Sequence, residues 1–520
     1  MAGRAEKLRS LKSEFDLLVV GGGATGLGVA VDASTRGFRT ALVEAGDYAQ
    51  ATSSRATKLV HGGVRYLVSG QLSLVYEALR ERRLMMQNAP HLVHPLAFVT
   101  PAYRWLDLPF YGTGLKLYDL LAGSSSIGRT RILNAGETRR LVPGIQAANL
   151  KGSIVYQDGQ FDDARLALTL ARTAEDHGAL ALNYVRFVQP IKENNRLIGG
   201  MVEDVETGES IQVRAKVVVN ATGIFVDGIR REDDPASPHL LRLSRGTHIV
   251  LPHQVLGDES AIMVPKTQDG RVIFAIPWLG SVVIGTTDIP AVEARLEPTI
   301  DESEIDYLIE TINPFLSRPI TKRDILSIFS GLRPLISEKT ATTAKVSREH
   351  RIDISHSGLI TVAGGKWTTY RRMAEDTLDF AIDRGLLPPA KCRTKGLSLH
   401  GAPSGTIETR PLSRYGTDAH RMTELISADS SLAAKLDTDL PFQKAEVVYA
   451  VREEMARTVE DVLSRRTRAL LLNARAAQRA APVTAQIMAE ELGRDKAWAD
   501  AQVREFCKLA RDHYTPNSGI

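Results

Sequence analysis

Cysteine is scarce in this sequence: Cys392 and Cys507 are the only two among 520 residues. Two distant thiols make no disulfide scaffold, and no Cys-x-x-Cys pair indicates a metal site or dithiol chemistry, so no metal is predicted. No run of about 18 apolar residues occurs, so no segment should span a bilayer. Lys and Arg number 65 against 61 Asp and Glu, and this near balance does not indicate nucleic-acid binding.

The rest of the composition, 43% apolar and 24% charged residues, is that of a globular protein of two or three domains. The run "LLVVGGGATGLGVAV" (17–31) has the apolar character of a signal peptide. Its glycines and the following Asp32 predict a strand, a turn and a helix instead. The preceding arm is short and carries acidic residues, so no organellar presequence is expected.

The strand "FDLLVV" (15–20), the turn "GGGATGLG" and the strand "TALVEA" form a βαβ fingerprint. Gly21, Gly23 and Gly26 fit G-x-G-x-x-G, and Glu44 follows about 20 residues later, where an acid binds ribose hydroxyls. The helix that the glycines open presents backbone N–H groups to a pyrophosphate. The predicted dinucleotide contacts are Gly21, Gly22, Gly23, Ala24, Thr25, Gly26 and Glu44. The motif does not choose between NAD and FAD.

Several further segments resemble those of the FAD-dependent glycerol-3-phosphate dehydrogenases, an amino-acid-oxidase-like family. In chain order the matching segments are 16–44, "ATSSRATKLVHGGVRYL" (51–67), "DGQFDDARL" (158–166), "VVNATG" (218–223), "IPW" (276–278), "GTTD" (285–288), "SGLRPL" (330–335), "AGGKWTTYRRMAED" (363–376) and 446–473. The mitochondrial-type branch is the most similar. Two departures are Ile224 and Phe225, where Pro-Trp is usual, and the absence of a D-x-[DN]-x-[DN]-G calcium loop.

The resemblance implies an α/β (α+β overall) fold with non-covalently bound FAD. A Rossmann-like, glutathione-reductase-type FAD domain would comprise 14–95, 150–235 and 355–388. A mostly antiparallel substrate domain would comprise 96–149 and 236–354, and a C-terminal α-helical domain 389–520. Independently, 196–223 has the pattern of two strands joined by a turn at 206–208.

The resemblance also implies that the segment 51–67 runs beneath the pyrophosphate toward the flavin ring. Further predicted cofactor contacts are Thr52, Ser53, Lys58, Val185, Gly223, Gly365 and Thr368. Arg65 and Tyr66 are expected on the substrate side. Lys58 and Arg65 as solvated surface cations are the alternative.

The implied substrate, glycerol 3-phosphate, carries nearly two negative charges and needs at least two cations. Arg65, Arg333 and Lys366 are predicted to converge on it, with Tyr66 and His248 nearby. Lys366 follows a Gly-Gly turn at the start of a helix, and Arg333 lies on a short loop suited to bidentate phosphate binding. An ion pair joining the Arg333 loop to the helical domain is the alternative.

Catalysis is predicted to use His61, Arg333 and Lys366. The C2 hydroxyl would lose its proton as hydride leaves C2 for the flavin, so a positioned base should act in the same step. His61 is the first candidate for that base and His248 the second.

Membrane quinone is the electron acceptor implied by the resemblance, with the protein peripheral on the cytoplasmic face of the cell membrane. The mitochondrial inner membrane or the cytoplasm is the alternative location, and a homodimer is allowed. The segment 103–123, with Trp105, Phe110, Tyr111, Leu115 and 117–121, would either contact lipid or pack beneath the substrate domain. The basic clusters "SRRTRALL" and "YRRMAED" would be solvated or contact headgroups.

Two other functions stay open. One is an oxidase of the same substrate that uses oxygen, although its relatives carry an insertion for which this chain has no room. The other is a catalytically idle flavoprotein whose helical tail binds partners.

Overall fold

The computed structural model describes residues 3–63, 72–265, 267, 271–337, 350–405 and 412–516. These residues form two β-sheets with helices packed on both and a helical C-terminal part. The predicted fold class is thereby confirmed. Within the described ranges, no helix combines the length and apolar character that a membrane crossing needs.

The first sheet has eight strands, with the N-terminal βαβ unit at its centre. Strand Glu14–Val20 pairs in parallel with Thr40–Val43 and with Ser210–Asn220. The main path is His350–Ile354, Ile360–Gly364, Ser210–Asn220, Glu14–Val20, Thr40–Val43 and Leu180–Leu182, while Arg196–Asp204 and Val185–Glu193 extend it from Ser210–Asn220. The predicted hairpin is present, and Gly208 adopts φ +75° in its turn.

Alternation along the central strand gives this sheet two separate cores. Leu17 and Val19 pack with the helices on one face, and Leu18 and Val20 pack with the antiparallel extension on the other. Helix Ala24–Thr35 lies between helices Asp163–Asp176 and Tyr370–Asp383. The shorter helices Arg4–Ser10 and Val226–Asp233 complete this part of the chain.

The second sheet has ten strands and is antiparallel except for one pair. Two of its strands pair outside the main order: Ser327–Ile336 pairs with Leu241–Pro252, and Arg131–Asn134 pairs with Gly152–Phe161. The other eight lie side by side in the order Ile289–Ala291, Leu241–Pro252, Ser281–Gly285, Ile273–Trp278, Ala261–Val264, Val93–Ala102, Gly152–Phe161 and Leu59–Val60. Helices Leu72–Asn88, Asp107–Ala122, Ala135–Leu141 and Glu302–Ile312 accompany it. The domain boundaries stay a prediction, although Gly152–Phe161, which that prediction assigns to the FAD domain, hydrogen-bonds in this sheet.

The C-terminal part consists of the helices Ala419–Ala428, Lys444–Glu453, Ala469–Leu472, Ala474–Leu492 and Lys496–His513. Its core is rich in alanine, which lets helix backbones approach closely. The same core includes Val250, Trp278, Val283 and Phe329 of the second sheet. The helical part is therefore packed on the second sheet.

Candidate functional site

A groove of about 500 Å³ runs along the carboxyl ends of strands Glu14–Val20 and Thr40–Val43. Nucleotide cofactors bind at this edge of open α/β sheets. The predicted cofactor residues that line it are Gly21, Gly23, Ala24, Thr25, Glu44, Thr52, Ser53, Gly223 and Gly365. Lys366, predicted for the substrate, lines it as well.

The glycine turn lets the backbone approach where a side chain would collide. Gly21 has φ +112°, and a Cβ there would lie 2.6 Å from the Ala221 carbonyl oxygen. A Cβ on Gly26 would lie 1.9 Å from the Gly21 oxygen, so Gly26 closes the turn without lining the groove. The Ala24 N–H donates to Ser53 Oγ at 2.9 Å. The positive end of helix Ala24–Thr35 thus opens onto the groove.

Glu44 organises the turn in addition to lining the groove. Its carboxylate accepts from the Gly22 N–H at 2.6 Å and from the Gly46 N–H at 2.9 Å. Burial raises the pKa of Glu44. Because a carboxylate has about four lone-pair sites, two bonds leave capacity for ribose hydroxyls. Gly22 therefore does not line the groove; its N–H instead helps to hold the Glu44 carboxylate in place.

A second glycine turn closes the other end of the groove. Gly364 and Gly365 have φ +76° and +73°, and Lys366 and Trp367 follow on the groove wall. The Trp367 Nε1–H donates to the Ser53 carbonyl at 2.9 Å. Helix Tyr370–Asp383 begins after a short 3₁₀ turn, Trp367–Thr369, so Lys366 lies between the glycine turn and the start of the helix.

Two predicted cofactor contacts lie behind the wall. Thr368 is buried and does not line the groove. Val185 is buried and supports Glu44, since its N–H donates to the Glu44 carbonyl at 2.8 Å. Phe187, two residues further along that strand, lines the groove instead.

The segment 51–60 leads from the groove to the second sheet. Thr52 Oγ1 donates to the Leu332 carbonyl at 2.7 Å, and Thr57 Oγ1 lies 3.0 Å from His248 Nε2. A Cβ on Gly331 would lie 2.8 Å from Arg55 Cβ. The segment therefore connects the cofactor groove with the strands that carry the predicted substrate residues.

Lys58 does not occupy its predicted place. Its side chain is fully buried, and its ammonium lies 2.7 Å from Asp163 Oδ2 and 2.9 Å from the Ser54 carbonyl. Burial lowers its pKa to about 7, against the opposing effect of Asp163. Lys58 therefore neither lines the cofactor groove nor lies in solvent as a surface cation. The reason is that its ammonium is paired with a buried carboxylate.

One face of the second sheet gathers the candidate substrate residues. In the antiparallel register Ser244 is opposite Arg333, and His248 is opposite Phe329. Residues opposite each other, and those two or four positions along, share a face. Gly246 and Gly331 are opposite each other midway between these two pairs, so they lie on the same face. The segment 51–60 covers this face.

Arg333 lies flat over Gly246, where a Cβ would be 2.2 Å from its Nη2. Nη2 donates to Thr286 Oγ1 at 3.0 Å and to the Thr287 carbonyl at 3.1 Å, while Nη1 donates to Ser244 Oγ at 3.3 Å. Asp288 is 3.7 Å away. Arg333 lies within strand Ser327–Ile336, so the prediction that it lies on a short loop is wrong. The alternative ion pair to the helical domain stays a prediction.

His248 is buried between strands, with its ring stacked on Phe329 at 4.6 Å and an interplanar angle of 11°. Nδ1 has no hydrogen-bond partner within the part of the chain that the structure describes. Burial, with the positive charges of Lys58 and Arg333, lowers the pKa of His248 well below its usual value. The imidazole is therefore neutral at pH 7.

Of the remaining predicted residues, the structure describes His61. It is half-buried and follows strand Leu59–Val60 directly. Arg65 and Tyr66 lie outside the described residues. Pro334, next to Arg333 in the chain, lines the same groove as Lys366, whereas Arg333 is not among the described lining residues. Whether Arg333 converges with Lys366 stays a prediction. The convergence of Arg65 with them stays a prediction.

A layer of buried charges supports the groove from behind. This buried charge layer comprises Asp47, Lys58, Asp163, Arg465, Arg466 and Arg468. Arg465 and Arg466 lie in a π-helical turn, Asp461–Arg466, and both pair with Asp47. Arg468 bonds to Asp163 at 2.7 Å and to the Ser54 carbonyl at 2.8 Å.

The basic clusters "SRRTRALL" and "YRRMAED" were predicted to be solvated or to contact lipid headgroups. Both predictions are wrong for their central arginines. The three arginines of "SRRTR" are at most 2% exposed, and Arg371 of "YRRMAED" is buried against Glu81 and Glu375. Their spacing on a helix gave no sign of burial, since the carboxylates come from distant segments.

Sequence reasoning missed the apolar wall of the groove and the cradle of Arg333. The missed groove residues include Gln50, Phe187, Ala221, Thr222, Leu296, Pro334, Trp367 and Met373. Ile224 and Phe225, noted as departures from the family pattern, also line it. Pro334 and Trp367 adjoin predicted residues, and this adjacency was the available signal.

Comparisons with known proteins agree with this geometry. Residues 16–371 match the family model described as FAD dependent oxidoreductase, and 360–499 match the C-terminal domain of alpha-glycerophosphate oxidase. The chain is 41% identical to the mitochondrial glycerol-3-phosphate dehydrogenase of Homo sapiens, over 96% of this chain and 73% of that protein. It is 41% identical to a mitochondrial glycerol-3-phosphate dehydrogenase of Arabidopsis thaliana, over 93% and 84%.

A solved structure is similar along almost the whole chain. The glycerol-3-phosphate dehydrogenase of Bacillus halodurans, complexed with FAD, has a TM-score of 0.78 and 30% identity, and the match covers 98% of this chain and 97% of that one. The fold and the groove define an FAD-dependent oxidoreductase. Within that class, the chain belongs to the FAD-dependent glycerol-3-phosphate dehydrogenase family.

Proposed function

We propose that the protein oxidises sn-glycerol 3-phosphate to dihydroxyacetone phosphate with FAD bound non-covalently in the groove. The observation that carries the proposal is that one groove joins a dinucleotide turn at Gly21 to a cationic end at Lys366. The groove fits FAD because backbone N–H groups and a helix N-terminus face its pyrophosphate region. None of the described residues lining it is a Cys, His or Tyr to which a flavin could be attached.

FAD, when bound, supplies the hydride acceptor, and the protein binds the anionic substrate. Lys366 gives one positive charge at the groove, and Arg333 gives a second. The Arg333 guanidinium is engaged by the hydroxyls of Ser244 and Thr286. A phosphate dianion is a stronger acceptor than either hydroxyl because its hydrogen bonds are charge-assisted. We expect it to displace them.

The proton acceptor is one of two histidines. His61 follows strand Leu59–Val60 and stays a candidate. His248 is supported by its neutral state, because a general base must be unprotonated at the working pH, and by its buried Nδ1, which has no hydrogen-bond partner among the described residues. Replacing each with Asn and measuring anaerobic flavin reduction distinguishes them. The base should lose about 10²-fold or more in rate.

The central experiment mixes the oxidised holoenzyme with glycerol 3-phosphate in the absence of oxygen. Loss of flavin absorbance is expected, and it should be at least about 10²-fold slower in Lys366→Met, which keeps length and removes the charge. Lys116→Met, on an exposed helix face, is the matched control. No bleaching by the wild type would overturn the function and leave the idle flavoprotein.

The electron acceptor is proposed to be membrane quinone, reached from a peripheral position on the cytoplasmic face of the cell membrane. The mitochondrial inner membrane and the cytoplasm remain the alternative locations. Re-oxidation by a quinone analogue should be much faster than by air. The opposite order would favour the oxygen-using oxidase.

An apolar patch supports the membrane contact. Leu106, Phe110 and Leu120 of the segment 103–123 are 78%, 74% and 75% exposed, and Trp105 is exposed beside them. Leu115 and Tyr118, on the opposite face of helix Asp107–Ala122, are buried. One face of this helix is thus packed against the protein, and we propose that the other face contacts lipid. A single apolar face lying in the interface is typical of peripheral membrane binding.

Vesicle flotation tests the patch. Phe110→Ser with Leu120→Ser should reduce the bound fraction on anionic vesicles about tenfold or more, since each apolar side chain contributes about 1.5–3 kcal/mol. Val205→Ser, an exposed apolar residue elsewhere, is the control. If both variants float equally well, the proposal that the apolar patch binds the membrane is wrong. The homodimer stays a prediction that sedimentation of the same samples tests.

A further inference from the structure

Thr57 and Lys58 are adjacent in the segment 51–60, and neither lines the cofactor groove. Lys58 has φ +64°, a left-handed conformation that is costly for a residue with a side chain. Its ammonium is held by Asp163 and the Ser54 carbonyl. This anchored backbone places Thr57 against His248.

His248 is almost fully enclosed, with 2% of its surface exposed and Nδ1 itself buried. Phe329 covers a ring face, and a Cβ on Gly285 would lie 2.2 Å from the ring's Cδ2. Thr57 Oγ1 is bonded to Nε2 at 3.0 Å, and Nδ1 has no partner among the described residues. The Thr57 hydroxyl can either accept the Nε2–H or donate to Nε2, and the direction of this bond sets which ring nitrogen carries the proton.

Lys58 adds an electrostatic effect on the same ring. Its ammonium is 5.1 Å from the Phe329 ring centroid, and Phe329 stacks on His248. The charged groups that face Lys58 are Asp163, Asp162 and Arg468, and Arg333 faces His248 from its own strand. A positive charge this near opposes protonation of the imidazole.

We propose that Thr57 and Lys58 are positioning residues for substrate oxidation. Thr57 accepts the Nε2–H and so leaves the Nδ1 lone pair to take the proton of the substrate hydroxyl, while Lys58 keeps the ring uncharged until then. In the step, the hydroxyl proton moves to Nδ1 and the C2 hydrogen leaves as hydride to the bound flavin, so the alcohol becomes a ketone. This inference rests on the proposed function.

The first test is a double-mutant comparison in the holoenzyme. Thr57→Val keeps the shape and removes the hydroxyl; we expect flavin reduction by glycerol 3-phosphate to slow about 10- to 100-fold with KM unchanged. Thr57→Ser should restore most of the rate. In a His248→Asn background, Thr57→Val should have no further effect. An unchanged rate in Thr57→Val, or a full additive loss in the double variant, overturns the proposal.

The second test reads the histidine directly and does not need turnover. In ¹⁵N-histidine-labelled protein, the Nδ1 shift of His248, assigned by its loss in His248→Asn, should be that of an unprotonated ring nitrogen. In Thr57→Val it should move toward a mixture of tautomers. A protonated Nδ1 in the wild type would overturn the assignment, even if the enzyme oxidises glycerol 3-phosphate.

The third test concerns Lys58. Lys58→Met should move the acid limb of the pH-rate profile to higher pH, because loss of the positive charge makes the imidazole easier to protonate. Lys58→Arg keeps the charge and should retain the wild-type limb. For Thr57→Val of the first test, the matched control is Thr484→Val, which removes a buried hydroxyl from a C-terminal helix and should leave flavin reduction unchanged. Coincident limbs in Met and wild-type enzymes would contradict the electrostatic part. If Lys58→Met fails to fold, the ¹⁵N titration of His248 in Lys58→Arg decides, with an altered His248 titration as the contrary outcome.

Discussion

The cofactor groove and the buried charge layer lie on opposite sides of the segment 45–58 and are built differently. Of the described residues that line the groove, only Glu44 and Lys366 are charged. The layer behind it consists of two aspartates, a lysine and three arginines, all excluded from water. The groove uses backbone N–H groups from a local turn, and the layer uses side chains from segments that are hundreds of residues apart.

The difference separates two tasks. A surface for an anionic dinucleotide needs N–H groups held in fixed positions, and a tight glycine turn supplies them locally. Holding the neighbouring loop requires strong contacts from elsewhere. Buried ion pairs carry a large desolvation cost, but loss of one partner is still more costly because it leaves an unpaired buried charge. We therefore expect the layer to be more sensitive to substitution than the groove.

The largest effect should come from Asp47→Asn in the layer. Burial raises the pKa of this carboxyl, but Arg466 and Arg465 outweigh it and hold the pKa below its usual range. Their loss of a counter-ion should cost about 3–5 kcal/mol in the free energy of unfolding. FAD should be released as well, because Ala45, Gly46, Ala49 and Gln50 on either side of Asp47 line the groove. Thermal unfolding and FAD retention on gel filtration measure both.

The control for Asp47 is Asp439→Asn, which removes an exposed partner of Arg479. An exposed ion pair contributes about 0–1 kcal/mol. If both substitutions lower the melting temperature equally, the distinction between layer and surface is wrong.

A smaller effect is expected from Gly26→Ala in the groove. The added Cβ would lie 1.9 Å from the Gly21 oxygen, so the turn must open, at about 1–3 kcal/mol for an overpacked site. FAD affinity, measured by quenching of flavin fluorescence, should fall. Gly114→Ala has open space around its Cβ and should bind FAD normally. Normal binding by Gly26→Ala would show that the turn tolerates a side chain.

Glu44→Gln should weaken FAD binding by about tenfold, the value of roughly one charge-assisted hydrogen bond. Burial raises the pKa of Glu44, so acidification protonates it earlier than an exposed glutamate. FAD affinity of the wild type should therefore fall as pH decreases through that raised value, while Glu44→Gln stays flat. Parallel pH profiles for the two proteins would exclude Glu44 as the source.

The smallest effect is predicted at the exposed margin between helix Asp163–Asp176 and the C-terminal part. Burial alone would lower the pKa of His400, but hydrogen bonds with Asp418 and Asp176 outweigh it and raise the pKa. The contribution of protonated His400 to the free energy of unfolding is thus fully present below about pH 6.5. It is lost as the pH rises through the raised pKa of His400 in the folded protein.

His400→Gln should accordingly lower the melting temperature at pH 5.5 and have little effect at pH 9. The difference at low pH should be about 1 kcal/mol or less. A larger difference at pH 9 than at pH 5.5 would reverse the sign and contradict this account. His356→Gln, a histidine outside this cluster, gives the comparison.

The same difference between local turns and contacts from distant segments explains which site residues could be predicted from the sequence. Gly21, Gly23 and Glu44 belong to a local turn and the strand after it, so their spacing indicated their place, whereas Gly365 was placed by the family resemblance. Lys58 was misplaced because its partner, Asp163, is more than a hundred residues away. The three buried arginines of 464–468 were taken for a surface cluster, since nothing in their spacing shows which carboxylates they meet.

The sequence by itself determined the dinucleotide turn, the order of strands and helices around it, and the family to which the chain belongs. These features depend on backbone conformation and on residues near one another in the chain. Only the tertiary structure decided which cations face the groove and which are buried behind it. Burial and pairing of a charge are set by partners that folding brings from distant segments, and its cost or benefit exists only once they are in place.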